Sequence, residues 1–279
     1  MAGAEVVRMP RPRVHGRPPW PRSGPDTAPL PGVCQVWWVC PDDVRPEHDR
    51  LLGRADLVRR ARLACPADRR RLTAAAAVAR LVLGAALGTP PAALQIDRTC
   101  ATCGSPHGRP RLPDEAGLHF SVSHSADCVV VAVLPGCPVG VDVETVGRFA
   151  PGEVAALAEC ALAGPEREHL AGLPEPEQPQ AFTGYWVRRE AVLKATGQGL
   201  GVPPEGLVVS PPSTAPRVLR HDDAGPVWLR DLPAPSGAVA ALAGLGTPPD
   251  DVVDRDAGPL LRQTSRRLSG PTTRSQRYP

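Results

Sequence analysis

The sequence predicts an α+β protein made of two similar lobes. Strand and helix patterns follow one another as strand, helix, strand meander, helix and second meander, the order expected of two related α+β units. Both ends are rich in proline and show no apolar period, so we expect a disordered arm at 1–31 and a disordered tail at 247–279. A first lobe at 32–137 and a second at 138–246 remain, together large enough for a core.

The first lobe is predicted to open with a strand over Val33–Val39, an apolar and aromatic run. A charged helix is expected over 47–65. A stronger helix follows over 68–87, where apolar residues recur at helical spacing until Gly88 stops them. A loop rich in Cys, Gly, Pro and Arg is expected over 97–113.

A strand meander and a mixed second lobe follow. The strand 118–123 alternates apolar and hydroxyl side chains, and a polar turn is expected at 124–127. The other predicted elements are strands 128–134 and 139–144, helices over 151–171 and 182–196 with a stop at Gly197, and strands 207–210, 218–219, 227–232 and 239–245.

Composition and charge give no support for several function classes. A net charge of +3 is too small to indicate specific nucleic-acid binding. The sequence shows neither a signal peptide nor a run of about 20 apolar residues that would span a bilayer. The eight cysteines are then expected to be thiols in a cytoplasmic protein.

Lys194 is the only lysine among 32 Lys and Arg side chains. Arginine is a flat fork that stays charged, whereas lysine is a compact amine whose charge can be tuned. A chain that uses an amine once either needs it for chemistry or keeps it by chance, and this residue alone does not decide between them.

Three acidic residues stand in patterns that suit a cation. Asp142 and Glu144 lie two apart in a predicted strand, so they share a face with bases about 7 Å apart. Paired carboxylates suit Mg²⁺, although a solvated acidic face gives the same pattern. Glu190 and Lys194 are four apart on a predicted helix. This spacing fits a metal ligand or base beside a phosphate-binding amine, and it equally fits an ordinary surface ion pair.

Polar residues near the meander suit phosphate. Ser123 and His124 end a predicted strand with a hydroxyl and an imidazole, which favours a phosphate clasp or a polar turn. Arg109 stands in the preceding loop, where a guanidinium would meet a phosphate or solvent.

The loop also carries Cys100-x-x-Cys103-Gly followed by His107, which resembles half of a zinc knuckle. A closed zinc site needs four ligands, and the sequence has no second Cys-x-x-Cys. The pair does not open a helix after a strand, as redox motifs do. A zinc site, a redox pair and loop thiols without a special role all remain open.

Four short patterns occur in one order and together resemble those of the 4′-phosphopantetheinyl transferases of the surfactin-synthetase (Sfp) type. The similarity spans about residues 33–245, and the last two patterns are the specific ones. The patterns are Gly108-Arg109-Pro110, Phe120-Ser-Val-Ser-His124-Ser125, Gly140-Val-Asp142-Val-Glu144 and Trp186-Val-Arg-Arg-Glu190-Ala-Val-Leu-Lys194-Ala-Thr-Gly197.

The resemblance implies a fold and a reaction. The fold is a monomer of two α+β lobes related by a pseudo-twofold axis, with coenzyme A in the cleft between them. The reaction moves phosphopantetheine from coenzyme A to a serine of an acyl or peptidyl carrier protein and releases adenosine 3′,5′-bisphosphate. The sequence names neither the carrier nor a pathway, whether fatty-acid biosynthesis or secondary metabolism.

The resemblance also implies roles for individual residues. Asp142, Glu144 and Glu190 would hold Mg²⁺, Glu190 would take the serine proton, and Lys194 would bind the pyrophosphate. The remaining phosphate contacts would be Arg109, Ser123 and His124, with Arg59 and Arg71 as loose matches to the basic N-terminal helix of the family.

The alternative from a different class is a non-catalytic zinc-knuckle module whose basic arm contacts nucleic acid. Metal content separates the two. A transferase depends on Mg²⁺ and modifies a carrier, whereas the module holds stoichiometric zinc and shows no such activity.

Overall fold

The protein is described by a computed structural model at residues 29–100, 103–106, 108–113, 116–199, 202–222 and 225–269. The predicted arm at 1–31 lies almost wholly outside the described residues. Fifteen α-helices and β-strands, besides short 3-10 helices, are defined within the described part of the chain. They are β1 (Val33–Val39), α1 (Arg54–Ala61), α2 (Pro66–Leu87), β2 (Leu118–Ser125), β3 (Cys128–Pro135), β4 (Val139–Thr145), α3 (Pro151–Ala161), α4 (Gly164–Ala171), α5 (Gln178–Thr196), β5 (Leu207–Val209), β6 (Val218–His221), β7 (Val227–Leu232), β8 (Ala238–Leu245), β9 (Asp251–Asp256) and α6 (Gly258–Ser269).

Two sheets pack face to face, each with a long helix on its outer side. The first sheet has the order β2-β3-β1-β9, and the second has the order β4-β8-β7. Alternate residues of β1 show the layering, because Trp37 and Val39 pack towards α2 whereas Val36 and Trp38 pack towards β4 and β8. The α+β prediction is confirmed, and a twofold relation between the lobes stays a prediction.

Three serines of β2 join the two sheets, and we call them the serine seam (Ser121, Ser123 and Ser125). The Ser121 hydroxyl accepts the Val141 amide at 3.1 Å, and the Ser125 hydroxyl accepts the Thr145 amide at 3.2 Å. The strand runs through Ser125, so the expected turn at 124–127 shrinks to two residues. A strand edge that presents hydroxyls every second residue can satisfy the backbone of a neighbouring strand.

The predicted helix over 47–65 is wrong in part. A 3-10 helix at Pro46–Leu51 and helix α1 occupy this stretch, separated by Gly53 in an extended conformation. A side chain at Gly53 would collide with the Arg80 guanidinium, 2.3 Å from its Cβ position. The break therefore lets the chain pass close to a buried arginine, which periodicity along the chain does not report.

The predicted disordered tail from residue 247 is wrong for the strand and helix between 251 and 269. Strand β9 pairs in parallel with β1 over Asp251–Asp256, and α6 packs against the core of the first lobe through Leu260 and Leu261. The acidic composition of β9 gave no sign of a strand. A strand at the edge of a sheet can be held by backbone hydrogen bonds and does not need an apolar sequence. Residues 270–279 lie outside the described part of the chain.

Helix α5 begins at Gln178, four residues before the predicted start, because Pro179 in its first turn needs no intrahelical amide partner. It ends where predicted, with Gly197 in the left-handed conformation (φ 79°).

Candidate active site

The site is built where α5 crosses β4. On β4, Gly140, Asp142 and Glu144 share one face by strand periodicity. A Cβ on Gly140 would lie 2.1 Å from the carbonyl oxygen of Ala191 and 2.4 Å from the amide of Ala195. Glycine at this position therefore lets the helix backbone touch the strand, which brings the side chains of α5 onto the two carboxylates.

Lys194 lies at the centre of this contact. Its Nζ donates to Asp142 Oδ1 at 2.6 Å, to Ser123 Oγ at 3.0 Å and to the Val141 carbonyl at 3.1 Å. These three acceptors match the three donors of an ammonium group. The ion pair of Lys194 is thus made with β4 rather than with Glu190 along its own helix.

Asp142, Glu144 and Glu190 form a group that we call the carboxyl cluster. Asp142 and Glu144 are buried at 3% and 5% exposure, and one oxygen of each, Oδ2 and Oε2, has no hydrogen-bond partner. Burial raises the pKa of Glu190, and the charges of Asp142 and Glu144 raise it further. Burial also raises the pKa of Glu144. Three acidic groups that repel one another, two of them with an unpartnered oxygen, form a site suited to a cation.

The side chains of the carboxyl cluster are not arranged as a complete set of metal ligands. Within the described residues, no group of three or more His, Cys, Asp or Glu side chains is placed to hold a metal ion. Asp142 Oδ1 is taken by Lys194 and Ser123, and Glu144 Oε1 by Arg148. The unpartnered oxygens nevertheless fit a hard cation, because carboxylate oxygens are the ligands Mg²⁺ takes.

Basic groups approach the cluster from the first lobe. Arg71 is buried, donates to the Ala126 carbonyl and pairs with Asp68. Protein surrounding the solvent-exposed ring of His124 lowers its pKa, and the charges of Arg71 and Lys194 lower it further. Arg71, Ser123, His124 and Lys194 therefore lie close together.

The other two predicted phosphate contacts lie apart from this group. Arg109 donates to the Ala195 carbonyl at 2.8 Å and the Val139 carbonyl at 3.2 Å, so it joins the loop to the C-terminal end of α5. Its Nε is buried without a partner. Arg59 lies beside Asp56 on α1. Burial lowers the pKa of Arg98, and the charge of Arg59 lowers it further.

Sequence reasoning missed Arg148. It pairs with Glu144 and lies over the Phe149 ring, 5.4 Å from the ring centroid. Phe149 in turn packs against Trp186, one turn of α5 before Glu190. The four-residue spacing from Glu144 was visible, but it crosses a strand end, where helical spacing rules do not apply.

The cysteine loop lies against Arg109, not within the carboxyl cluster. The Cys100 amide donates to the Ser105 carbonyl at 2.9 Å. His107, the third zinc ligand considered, lies outside the described residues.

A cavity of about 480 Å³ opens on another side of α5, beside Gly184, Arg188 and Val239. None of the predicted site residues lines it, so it is separate from the carboxyl cluster.

Comparison with known proteins places this geometry in a family. The model of the 4′-phosphopantetheinyl transferase superfamily matches residues 138–242, which include β4 and α5. The 4′-phosphopantetheinyl transferase HetI of Nostoc sp. is 30% identical over 234 residues, which cover 81% of this chain and 94% of HetI. The chain belongs to the 4′-phosphopantetheinyl transferase family. The prediction of an enzyme of this class is confirmed.

Other members match over shorter stretches. The 4′-phosphopantetheinyl transferase Sfp of Bacillus subtilis is 29% identical over 97 residues, or 35% of this chain and 41% of Sfp. The crystal structure of Thermotoga maritima holo-[acyl-carrier-protein] synthase superposes with a TM-score of 0.33 at 22% identity, over 39% of this chain and 63% of that one. In the described part of this transferase, no helix has the length and apolar character to cross a membrane.

Proposed function

We propose that this transferase moves 4′-phosphopantetheine from coenzyme A to a serine hydroxyl of an acyl or peptidyl carrier protein, with Mg²⁺ at the carboxyl cluster. The serine oxygen attacks the phosphorus that bears the pantetheine arm, and adenosine 3′,5′-bisphosphate leaves. The observation that carries the proposal is a buried acidic cluster with unused oxygens directly beside an ammonium group. Phosphoryl transfer depends on positioning and charge neutralisation, which such a pair of opposite charges supplies.

Asp142, Glu144 and Glu190 would hold the magnesium ion. When bound, Mg²⁺ supplies positive charge to the pyrophosphate and to the leaving bisphosphate. Two features of the protein support this assignment: the unpartnered oxygens of Asp142 and Glu144, and the raised pKa values of Glu144 and Glu190. A cation among the three carboxylates would relieve both their repulsion and their missing hydrogen bonds.

Glu190 would be the general base. Burial and the neighbouring carboxylates raise its pKa above the ordinary value, which makes the ionised carboxylate a stronger base. It would take the proton of the carrier serine directly or through one water molecule.

Arg71, Ser123, His124 and Lys194 would hold the phosphates of coenzyme A. Their closeness supports this role, since the charges of Arg71 and Lys194 both act on His124. Lys194 would exchange one of its present acceptors for a phosphate oxygen, while its bond to Asp142 keeps the amine in place. Arg109 would contribute from the other end of β4, and a role for Arg59 rests on the family resemblance alone.

The Sfp type, a monomeric state and a cytoplasmic location belong to the same proposal. The order of all four sequence patterns in one chain supports the Sfp type. The cysteines support a reducing compartment, because all eight are thiols.

The test is a transfer assay with an apo-carrier protein, coenzyme A and Mg²⁺, read by intact mass. We expect the carrier to gain the mass of phosphopantetheine, and a carrier with its acceptor serine changed to alanine to gain nothing. Asp142→Asn should abolish the gain while the variant keeps its circular dichroism spectrum. Full turnover in the presence of a chelator that removes Mg²⁺ would refute the metal assignment.

The zinc-knuckle alternative is not favoured, because the family match covers the second lobe and not the cysteine loop. Stoichiometric zinc in a purified protein that transfers nothing to any carrier would revive it.

A further inference from the structure

Arg148 holds one of the carboxylates of the carboxyl cluster. Its guanidinium donates to Glu144 Oε1 and, within the described residues, to no other acceptor. The other oxygen of Glu144, Oε2, is buried without a partner. A metal ion that uses Glu144 would therefore compete with Arg148 for the same side chain, because both are cations that bind carboxylate oxygen.

The backbone after β4 brings Arg148 back towards Glu144. The Arg148 amide donates to the Thr145 carbonyl at 3.0 Å, which closes a turn directly after the strand. The Val146 amide donates to the Gly237 carbonyl at 3.0 Å, so the turn is tied to the residue before β8. Since the backbone is held at both points, only the guanidinium needs to move to release Glu144.

The two cations beside the cluster differ in how firmly they are held. The side chain of Lys194 is 28% exposed and donates to three acceptors. The side chain of Arg148 is 50% exposed and donates to Glu144 alone. Water competes for a charge that is half exposed, so its ion pair contributes little to stability. Arg148 is therefore the cation that can be displaced at low cost.

A second contact gives the displaced guanidinium a place to rest. Arg148 lies over the Phe149 ring, 5.4 Å from the ring centroid. The Phe149 ring packs against Phe182 and Trp186 of α5, with centroids 4.9 and 5.7 Å apart. The face of an aromatic ring attracts a cation that is also in contact with water. Arg148 can thus leave Glu144 and keep its contact with Phe149.

The balance of charge favours such an exchange. When Glu190 is ionised, the three carboxylates of the cluster face two cations, Lys194 on Asp142 and Arg148 on Glu144. The excess negative charge is reflected in Glu190, whose pKa is raised by burial and by the other two carboxylates. If the two charges of a magnesium ion replaced the single charge of Arg148, the group would become neutral.

We propose that Arg148 is an exchangeable counter-ion, which pairs with Glu144 until Mg²⁺ binds at the carboxyl cluster and then moves onto the Phe149 ring and into solvent. This inference rests on the proposed function, in which Glu144 is a metal ligand. Arg148 acts through Glu144 as a positioning residue, and it sets the affinity of the cluster for Mg²⁺. Because the metal ion must break one half-exposed charged pair, loss of the guanidinium should tighten Mg²⁺ binding about three- to tenfold.

The experiment titrates Mg²⁺ alone into the full chain and measures the dissociation constant by calorimetry at low temperature and constant ionic strength. We expect Arg148→Gln to bind Mg²⁺ more tightly by that factor. Arg148→Lys keeps a cation that can pair with Glu144, so its dissociation constant should stay near that of the parent. Equal or weaker binding by Arg148→Gln overturns the inference.

A matched control tests for charge that acts at a distance. The charge of Arg189 acts on Glu190, but its guanidinium bonds to Glu166 and to two backbone carbonyls outside the cluster. Arg189→Met should therefore bind Mg²⁺ as the parent does. If it binds as tightly as Arg148→Gln, any lost positive charge has the same effect, and the exchange at Glu144 is wrong.

Thermal unfolding separates an exchangeable pair from one that is merely structural. Without Mg²⁺, Arg148→Gln leaves the buried Glu144 without its counter-charge, so we expect its unfolding midpoint to lie below that of the parent. At saturating Mg²⁺ the difference should close, because Arg148 no longer contacts Glu144 in the parent either. A difference that is the same at every Mg²⁺ concentration would show that the pair persists beside the metal ion, and it overturns the inference.

Failure of the proposed function gives a different result. If neither the parent nor any variant binds Mg²⁺, the metal site itself is wrong and the exchange falls with it. If the parent binds Mg²⁺ and modifies a carrier while Arg148→Gln binds the metal no more tightly, the proposed function stands and only the exchange is wrong.

Discussion

Charged side chains of helix α5 lie in two clusters. In only one of them do all the buried carboxylate oxygens have hydrogen-bond partners. Arg188 and Arg189 of α5, with Glu166 and Asp231, form what we call the arginine cluster. Both oxygens of Glu166 accept hydrogen bonds, from Arg189 and from the backbone amides of Ala163 and Val209. The carboxyl cluster, on another face of the same helix, leaves one oxygen of Asp142 and one of Glu144 without a partner.

The difference indicates that the arginine cluster stabilises the fold, whereas the carboxyl cluster is suited to binding a ligand. Arg188 meets Asp231, the Ser210 hydroxyl and backbone carbonyls of the loop that follows β5. A buried ion that is fully paired holds elements together and asks for no ligand. A buried group of like charges with unused lone pairs costs stability unless something binds there, and such cost is concentrated at functional sites. We therefore expect changes in the two clusters to affect different observables.

The largest expected effect is on turnover. Glu190→Gln removes the proposed base and a ligand while keeping the side-chain shape, so we expect carrier modification to fall by about 10²- to 10⁴-fold. The assay is the initial rate by intact mass, with a thermal unfolding curve to show that the variant is folded. Near-full turnover in this variant would break the distinction between the clusters.

The arginine cluster should respond in stability instead. Arg189→Met leaves Glu166 buried at 1% exposure without its counter-charge, so we expect the free energy of unfolding to fall by about 3–5 kcal/mol. Urea denaturation measures it. Arg220→Met is the matched control, because its ion pairs with Glu205 and Asp222 are exposed and exposed pairs contribute little to the free energy of unfolding. A folded Arg189→Met protein should still turn over at low temperature.

Magnesium should stabilise the protein through the carboxyl cluster alone. At about 100 times its dissociation constant, a ligand specific to the folded state adds roughly 2.7 kcal/mol to the free energy of unfolding. We expect Mg²⁺ to produce such a shift in the parent and in Arg189→Met, and to produce none in Asp142→Asn. NaCl at equal ionic strength is the control, and an equal shift with NaCl would mean that Mg²⁺ acts only by screening.

The smallest effect is on the pH dependence of stability without metal. Burial and neighbouring carboxylates raise the pKa of Glu190 above its unfolded value near 4.5. Between the two pKa values the folded state binds the additional proton, so the free energy of unfolding falls as pH rises through the folded pKa. We expect the parent to gain stability on acidification from neutral pH into that window, and Glu190→Gln to gain less. If the free energy of unfolding changes with pH in the same way in both proteins, the pKa of Glu190 is not raised in the folded state.

Much of the candidate site could be predicted from the sequence because its patterns are local. The two-residue spacing of Asp142 and Glu144 fixes a common face in any strand. The close contact of Gly140 with α5 was not predicted and is seen only in the structure. The serine seam was partly visible in the alternation of 118–123. Its actual partners, the backbone amides of β4, were not, because the sequence does not state which strand edge lies beside which.

The errors arose where composition was taken for structure. Strand β9 is acidic and reads as a tail, yet it completes the first sheet, and Asp254 accepts the Trp38 indole at 2.7 Å across 216 positions. An ordinary Glu190–Lys194 ion pair, one of the two interpretations that the sequence left open, is not the pair that Lys194 makes, because Lys194 pairs with Asp142. In the fold, the buried Asp142 accepts a hydrogen bond from the Lys194 amine at 2.6 Å.

The sequence by itself determined which residue types occur and on which face of a strand or helix each one stands, since those periods of two and 3.6 are properties of the local backbone. Only the tertiary structure decided that three acidic groups from β4 and α5 come close enough to one another and to Lys194 to interact, and that two of their oxygens lack partners. Burial and pairing depend on contacts between segments far apart along the chain, and no local period encodes them.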